Sequence, residues 1–168
     1  MLVSAHASFW FLPFVLPVCA IVAFTDLQQM RIPNWTVYLL AAIYVIIGPF
    51  VLSLEDYGWQ LLHLPIGIGL GVLFYAAGVV GAGDSKFAGA AAPFVALGDL
   101  KLLVVVFTAM LLAGFVTHRL VKYTPLRRLA PGWKSWDVGS KFPMGLCLGG
   151  TLVAYLIFGA AFGQSVPG

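Results

Sequence analysis

Val80-Gly81-Ala82-Gly83-Asp84-Ser85-Lys86-Phe87 sets a carboxylate among two glycines and a lysine, with apolar sequence on either side. In a soluble protein Gly-x-Gly-Asp commonly marks a turn and nothing more. Here the surroundings change its meaning. The 168 residues are 61% hydrophobic and only 9% charged, and the mean hydropathy is +1.00. A soluble domain of this length has too little interior to hide so much apolar surface, so the chain reads as an all-α polytopic integral membrane protein. The apolar runs are continuous rather than alternating, which excludes a transmembrane β-barrel. No polar stretch is long enough to fold separately, so residues 1–168 read as a single membrane-embedded domain.

Outward from the motif, six apolar segments are expected. Leu61 to Val80 leads into Gly81, and its Gly67 and Gly71 form a small-residue face suited to close helix packing. Gly69 is read as a packing glycine too. Ser85 to Gly98 follows; as an α-helix its 14 or so residues reach only ~21 Å of a ~30 Å hydrocarbon core. Upstream, Ser8 to Asp26 is long enough to cross, and Pro13 and Pro17 in its first half are tolerated or bend it. Its leading residues carry no Lys or Arg, and it ends in Thr25-Asp26-Leu27-Gln28 rather than a cleavage site, so it reads as a retained helix. Trp35 to Leu54 comes next, entered through Pro33, and Glu55-Asp56-Tyr57-Gly58 then read as a polar turn. Leu100 to His118 and Phe142 to Phe162 complete the set, separated by a basic loop from Arg119 to Lys141.

Charge fixes the expected topology. With six crossings, Arg31, Lys86, Arg119, Lys122, Arg127, Arg128, Lys134 and Lys141 share one side, leaving Lys101 opposite with Glu55, Asp56 and Asp99. The positive-inside rule makes the basic side cytoplasmic and puts both termini outside. A re-entrant Ser85–Gly98 segment would split this bias. Six crossings also bring Asp26 and Asp84 to the same depth, at the cytoplasmic rim.

Ionisable groups held near lipid are costly, so a functional reading of these two acids is the default. Paired carboxylates in a partly dry site share one proton. The ionised member activates a water and the protonated one donates to a scissile carbonyl oxygen, as in aspartic proteases. Gly81 and Gly83 would let an extended peptide approach Asp84. Lys86 either biases the proton between the acids or anchors a helix end at the interface. Two other readings stay open: a small transporter or channel passing protons or cations along the acids, and a membrane scaffold. His6, His63 and His118 are dispersed and read as interfacial or tail residues, so no metal site is expected. Cys19 and Cys147 read as small buried hydrophobes, and no CxxC occurs.

Together these patches resemble the type IV prepilin peptidases. Gly81-Ala82-Gly83-Asp84-Ser85-Lys86 is similar to that family's GxGDxK motif. Asp26 ahead of Arg31-Ile32-Pro33-Asn34 resembles its first motif, an Asp before a basic-Ile/Leu-Pro-Asn turn. Lys141-Phe142-Pro143-Met144-Gly145 resembles its Pro-aromatic-Gly segment, with Met144 in place of the usual aromatic. The patches fall in the family's order, and the small size is most like the peptidases of tight-adherence (Flp-type) pilus systems.

The resemblance implies an aspartic-type endopeptidase that removes short basic leaders from pilin-like precursors at the cytoplasmic face of a bacterial inner membrane. Asp26 and Asp84 would be the catalytic pair. Gly81, Gly83, Lys86, Arg31, Pro33, Asn34, Pro143 and Gly145 would support the site or contact substrate. Partners would be the precursor and the bilayer, with no nucleic acid and no cofactor. Larger family members that also methylate the new amino terminus carry paired CxxC motifs. Their absence here implies a peptidase without methyltransferase activity and without zinc. Because the leaders are basic, Arg127 and Arg128 are assigned to topology and anionic lipid rather than to leader binding.

Overall fold

The computed structural model describes residues 1–139 and 142–164; Lys141 lies outside the described residues. Among the described residues seven α-helices form and no strand does: α1 (Ala5–Gln29), α2 (Asn34–Val51), α3 (Leu54–Leu61), α4 (His63–Ala76), α5 (Ala82–Ala91), α6 (Leu100–Lys122) and α7 (Met144–Phe162). Five spans are long and apolar enough to cross a membrane, with α3 and α4 counting as one span, Leu54–Ala76. The protein is therefore a multi-pass, all-α membrane protein.

Residues 82–99 make the remaining traverse by an unusual route. α5 has 10 residues and would rise only ~15 Å. Pro93 has no N–H to give the Gly89 carbonyl and disfavours continuation of the α-helix, and the chain goes on as a 3₁₀ turn at Ala92–Phe94. Val95 and Ala96 are extended, and a second 3₁₀ turn follows at Leu97–Asp99. Extended and 3₁₀ residues rise faster than α-helical ones, so the segment covers more length than a 14-residue α-helix would. It carries the chain from the cleft-lining Asp84 to Asp99 at the Leu2 end of α1.

Other expected boundaries also move: α6 runs past His118 to Lys122, so Arg119 and Lys122 belong to its last turn and not to the basic loop. Glu55-Asp56-Tyr57-Gly58 is not a turn but the body of α3. The Ser53 hydroxyl accepts the Asp56 N–H at 3.0 Å, and two acids in the first turn suit the positive end of the helix dipole. The helix expected to run to Val80 stops at Ala76, and Gly78 follows with φ +72°.

α1 and α7 pack antiparallel in the most extensive helix pair of the molecule. At one end of this pair Asp26 meets Gly145. At the other end Ala5 N–H donates to Gln164 O at 3.0 Å. Asp99, expected as a loop acid, is instead buried at this second end. Its carboxylate accepts the N–H groups of Leu2 at 2.9 Å and Val3 at 3.0 Å, and the Tyr155 hydroxyl at 3.0 Å. Three donors allow that charge to be buried and tie the N-terminal segment to α7 and to the end of the 82–99 traverse. Phe11, Tyr44, Tyr57 and Phe94 stack nearby, joining α1, α2 and α3 to the first 3₁₀ turn.

α4 and α5 pack closely through glycine. A Cβ on Gly71 would stand 2.7 Å from the Ser85 carbonyl oxygen, and one on Gly67 would stand 2.9 Å from the Ala92 methyl. Gly69 faces open space and takes no part, against the expectation of packing. α6 packs along α7 and makes no comparable contact with α4 or α5. The basic loop folds back over the Asp26 end of α1, with Trp133 edge-on to Phe24 at 6.0 Å. There Arg127 pairs with Asp137 at 2.7 Å.

Candidate active site

At the Asp26 end the molecule opens into a cleft of about 600 Å³. Its walls come from three places far apart in sequence: the end of α1 with the following link, the start of α5, and the start of α7. Asp26 and Asp84 both line it, as do Arg31, Asn34, Gly81, Gly83 and Lys86. Pro33, Pro143 and Gly145 do not line it. Pro143 is fully buried and Gly145 stands behind Asp26.

Asp26 lies in the last turn of α1 and is 5% exposed. α1 ends at Met30, whose left-handed φ of 55° closes the helix with a bond from its N–H to Asp26 O at 2.8 Å. That sharp stop turns the chain so that Ile32 tucks into the core and Arg31 faces the cleft. Pro33 caps α2 in the extended conformation that leads Asn34 into the first helical position. The link is therefore short and rigid, as its Ile-Pro-Asn sequence suggests.

Gly145 N–H donates to Asp26 Oδ2 at 2.7 Å. Gly145 is the second residue of α7, where backbone N–H groups lack helical partners and the dipole favours negative charge. A Cβ on Gly145 would stand 3.0 Å from both Asp26 Cβ and Oδ2, so the absence of a side chain is what lets α7 come this close.

Asp84 is the third residue of α5, half-buried, and folds back over the helix start. A Cβ on Gly81 would lie 2.7 Å from Asp84 Oδ2. A Cβ on Gly83 would lie 3.2 Å from Ile32 Cβ, so this glycine seats α5 against the α1–α2 link. The two glycines thus have separate tasks: one makes room for the acid and the other makes room for the neighbouring turn.

Lys86 Nζ donates to Asn34 Oδ1 at 3.3 Å, joining α5 to the head of α2 across the cleft. Among the described residues the one ion pair within 4.0 Å is Arg127–Asp137, so neither cleft acid has a described cationic partner that close. His63 and His118 are not tail residues: both are buried, and His118 stacks on Trp136 at 4.8 Å between ring centroids. Neither histidine lines the cleft. Both cysteines are free and buried.

Sequence reasoning passed over Met30, Ala82 and Phe142, which also line the cleft. Met30 carried no signal, because a left-handed residue other than glycine or asparagine is not readable from its type. Phe142 and Met144 sit in a patch already singled out, yet their place on the wall depends on how α7 meets α1.

A model of the Type IV leader peptidase family matches residues 13–118. The match spans Asp26, the Arg31–Asn34 link and the whole Gly81–Lys86 motif, and stops before Pro143 and Gly145. No curated protein and no solved structure matches the chain. With more than half of its length matched, including both acids of the cleft, the chain belongs to the Type IV leader peptidase family, membrane peptidases of the aspartic type.

Proposed function

We propose that Asp26 and Asp84 are the catalytic pair of a membrane endopeptidase that removes the short basic leader of pilin-like precursors. The observation that carries this reading is the shared cleft: two acids from helices far apart in sequence converge at one end of the bundle, against a glycine-cleared approach. In the proposed reaction the pair holds one proton. The ionised carboxylate takes a proton from a water as it attacks the scissile carbonyl, and the protonated one donates to the carbonyl oxygen. Collapse of the tetrahedral species returns a proton to the departing amine. Because the two acids titrate as a unit, neither role is assigned to one residue.

The Gly145 N–H supports this chemistry by fixing the Asp26 carboxylate. Arg31, Asn34 and Lys86 form the polar rim over which a leader enters, and the Lys86–Asn34 bond holds that rim at a set width. We place this end at the cytoplasmic face of a bacterial inner membrane, with both termini opposite; the charge bias supports the cytoplasmic side, and the family supports the membrane. Basic leaders would meet Arg31 and Lys86 first, so their recognition relies on the acids and on backbone contacts rather than on those cations. In the absence of any CxxC we propose leader cleavage without amino-terminal methylation. Family membership favours a peptidase over an ion pathway.

The test is direct. The purified protein in lipid vesicles is given a precursor with a short basic leader ending in Gly before an apolar helix, and the product's new amino terminus is determined by mass spectrometry. Cleavage at a single bond at the leader's end supports the reading. An intact precursor, together with an ion flux that Asp84→Asn abolishes, would replace it with the transport reading.

A further inference from the structure

A second cavity, of about 420 Å³ and almost wholly apolar, lies between α4, α5, α6 and α7. It exists because α6 leans on α7 and leaves α4 and α5 uncovered on that side. Its lining and the lining of the polar cleft share no residue, yet they follow one another along the same helix faces. On α5, Asp84 lines the cleft, while Ala88 and Ala91 line the apolar cavity, joined by Ala92 at the start of the 3₁₀ turn that continues α5. Spacings of four and seven residues put Ala88 and Ala91 on the Asp84 face of the helix, and Ala92 follows at eight. On α7 the pattern repeats: Met144 lines the cleft, and Leu148, Thr151 and Leu152, at the same three spacings, line the cavity. Two helices that start at the cleft therefore carry the same faces from the cleft to the apolar groove.

The groove has the surface a helix needs. Ala88 and Ala91 present almost no bulk on this side, so another helix backbone can approach α5 closely, which is how helices associate where lipid removes the hydrophobic driving force. The far wall is α6, whose Leu100 and Val104 are 47% and 62% exposed. Of the groove's polar lining groups, the Thr151 hydroxyl donates to the Cys147 carbonyl oxygen at 2.7 Å, while His63 Nε2 at the start of α4 has no described partner.

We infer that this groove seats the apolar helix that follows the scissile bond of the precursor, with α5 and α7 as its floor and α6 as its wall. The inference rests on the leader-peptidase reading. What selects this occupant is the register: a chain whose bond lies at Asp84 and whose next residues are apolar enters the membrane along the face that Ala88, Ala91 and Ala92 continue. Binding energy from a helix held there would be used at the reacting bond, so its loss lowers the rate of cleavage and not only affinity.

The experiment compares two substrates: the full precursor, and a soluble peptide that stops a few residues past the cleavage site. Ala91→Phe and Val104→Trp narrow the groove from its floor and from its wall. Each is expected to lower precursor cleavage about tenfold relative to peptide cleavage. Val105→Trp, at an exposed α6 position outside the groove, is expected to leave that ratio at the wild-type value. A photoreactive residue at Leu103, in an Asp84→Asn background, should crosslink to the precursor's apolar segment. An unchanged ratio in both narrowed variants would overturn the groove, as would adducts only to lipid or to a second copy of the chain. Wild-type protein that cleaves neither substrate would instead overturn the leader-peptidase reading, and the groove with it.

Discussion

The Gly145 backbone N–H donates to Asp26 Oδ2 at 2.7 Å, joining residues 119 positions apart. The bond aims a carboxylate, and it depends on Gly145 having no side chain. Gly145→Ala keeps the N–H but sets a methyl 3.0 Å from Asp26 Cβ and Oδ2, so the acid must shift. A displacement of up to 1 Å at a reacting group costs roughly 100-fold in rate. Gly145→Ala is expected to lower kcat for leader cleavage by about 10- to 100-fold, with KM nearly unchanged and normal accumulation in the membrane. Steady-state kinetics on the purified variant check this.

The α4–α5 contact positions Asp84, and its two kinds of glycine make a paired test. A Cβ at Gly71 would meet a backbone carbonyl at 2.7 Å, which cannot swing aside as a flexible side chain can, while Gly69 faces open space. Gly71→Val is expected to cost about 1–3 kcal/mol through overpacking, to lower the Tm and to reduce cleavage. Gly69→Val should leave both near wild type. Thermal unfolding in detergent, run beside the cleavage assay, separates the two variants.

How much of this could be read beforehand depended on whether a feature was local. The apolar runs announced the crossings, and the charge count placed Asp26 and Asp84 at one depth, because both depend only on residue type along the chain. Glu55 to Gly58 read locally as a turn, but the helix there depends on Ser53, which caps it from outside the stretch. Ser85 to Gly98 read as one helix by length and apolarity, while the 3₁₀ turns around Pro93 depend on how the chain packs beyond α5. Asp99 reads as a loop acid, since its three donors come from Leu2, Val3 and Tyr155 and only folding gathers them. The site was legible as a set of residues. The Gly145–Asp26 bond within it was not, because no periodicity specifies which helix start meets which acid.

Asp99 is as buried as Asp26 but is satisfied by three donors at the opposite end of the bundle, so its expected role is stability. Asp99→Ala leaves two backbone N–H groups and a tyrosine hydroxyl without their acceptor, and a loss of about 3 kcal/mol or more is expected from breaking such a buried charged network. Cleavage measured well below the lowered Tm should stay within about twofold of wild type, since the acid acts on no reacting atom.

Lys86 bonds Asn34, and neither acid has a described cation within 4.0 Å. A charge-assisted bond at an exposed rim is worth about 1 kcal/mol, so Lys86→Met and Asn34→Ala should each change kcat/KM by roughly fivefold. The double variant should be no worse than either single one, because both remove the same bond. A pH–rate profile of Lys86→Met that overlays wild type would place this lysine at the rim and not in the proton balance of the dyad.

The central claim is that Asp26 and Asp84 work as a catalytic pair, and the most direct measurement is leader cleavage by Asp26→Asn and Asp84→Asn. Each is assayed on a full precursor in vesicles, with membrane accumulation and Tm followed in parallel. Each amide keeps the shape of the acid but cannot ionise, so each single variant should lose detectable cleavage while accumulating and unfolding as wild type does. Cleavage at the wild-type rate by either variant would contradict the account.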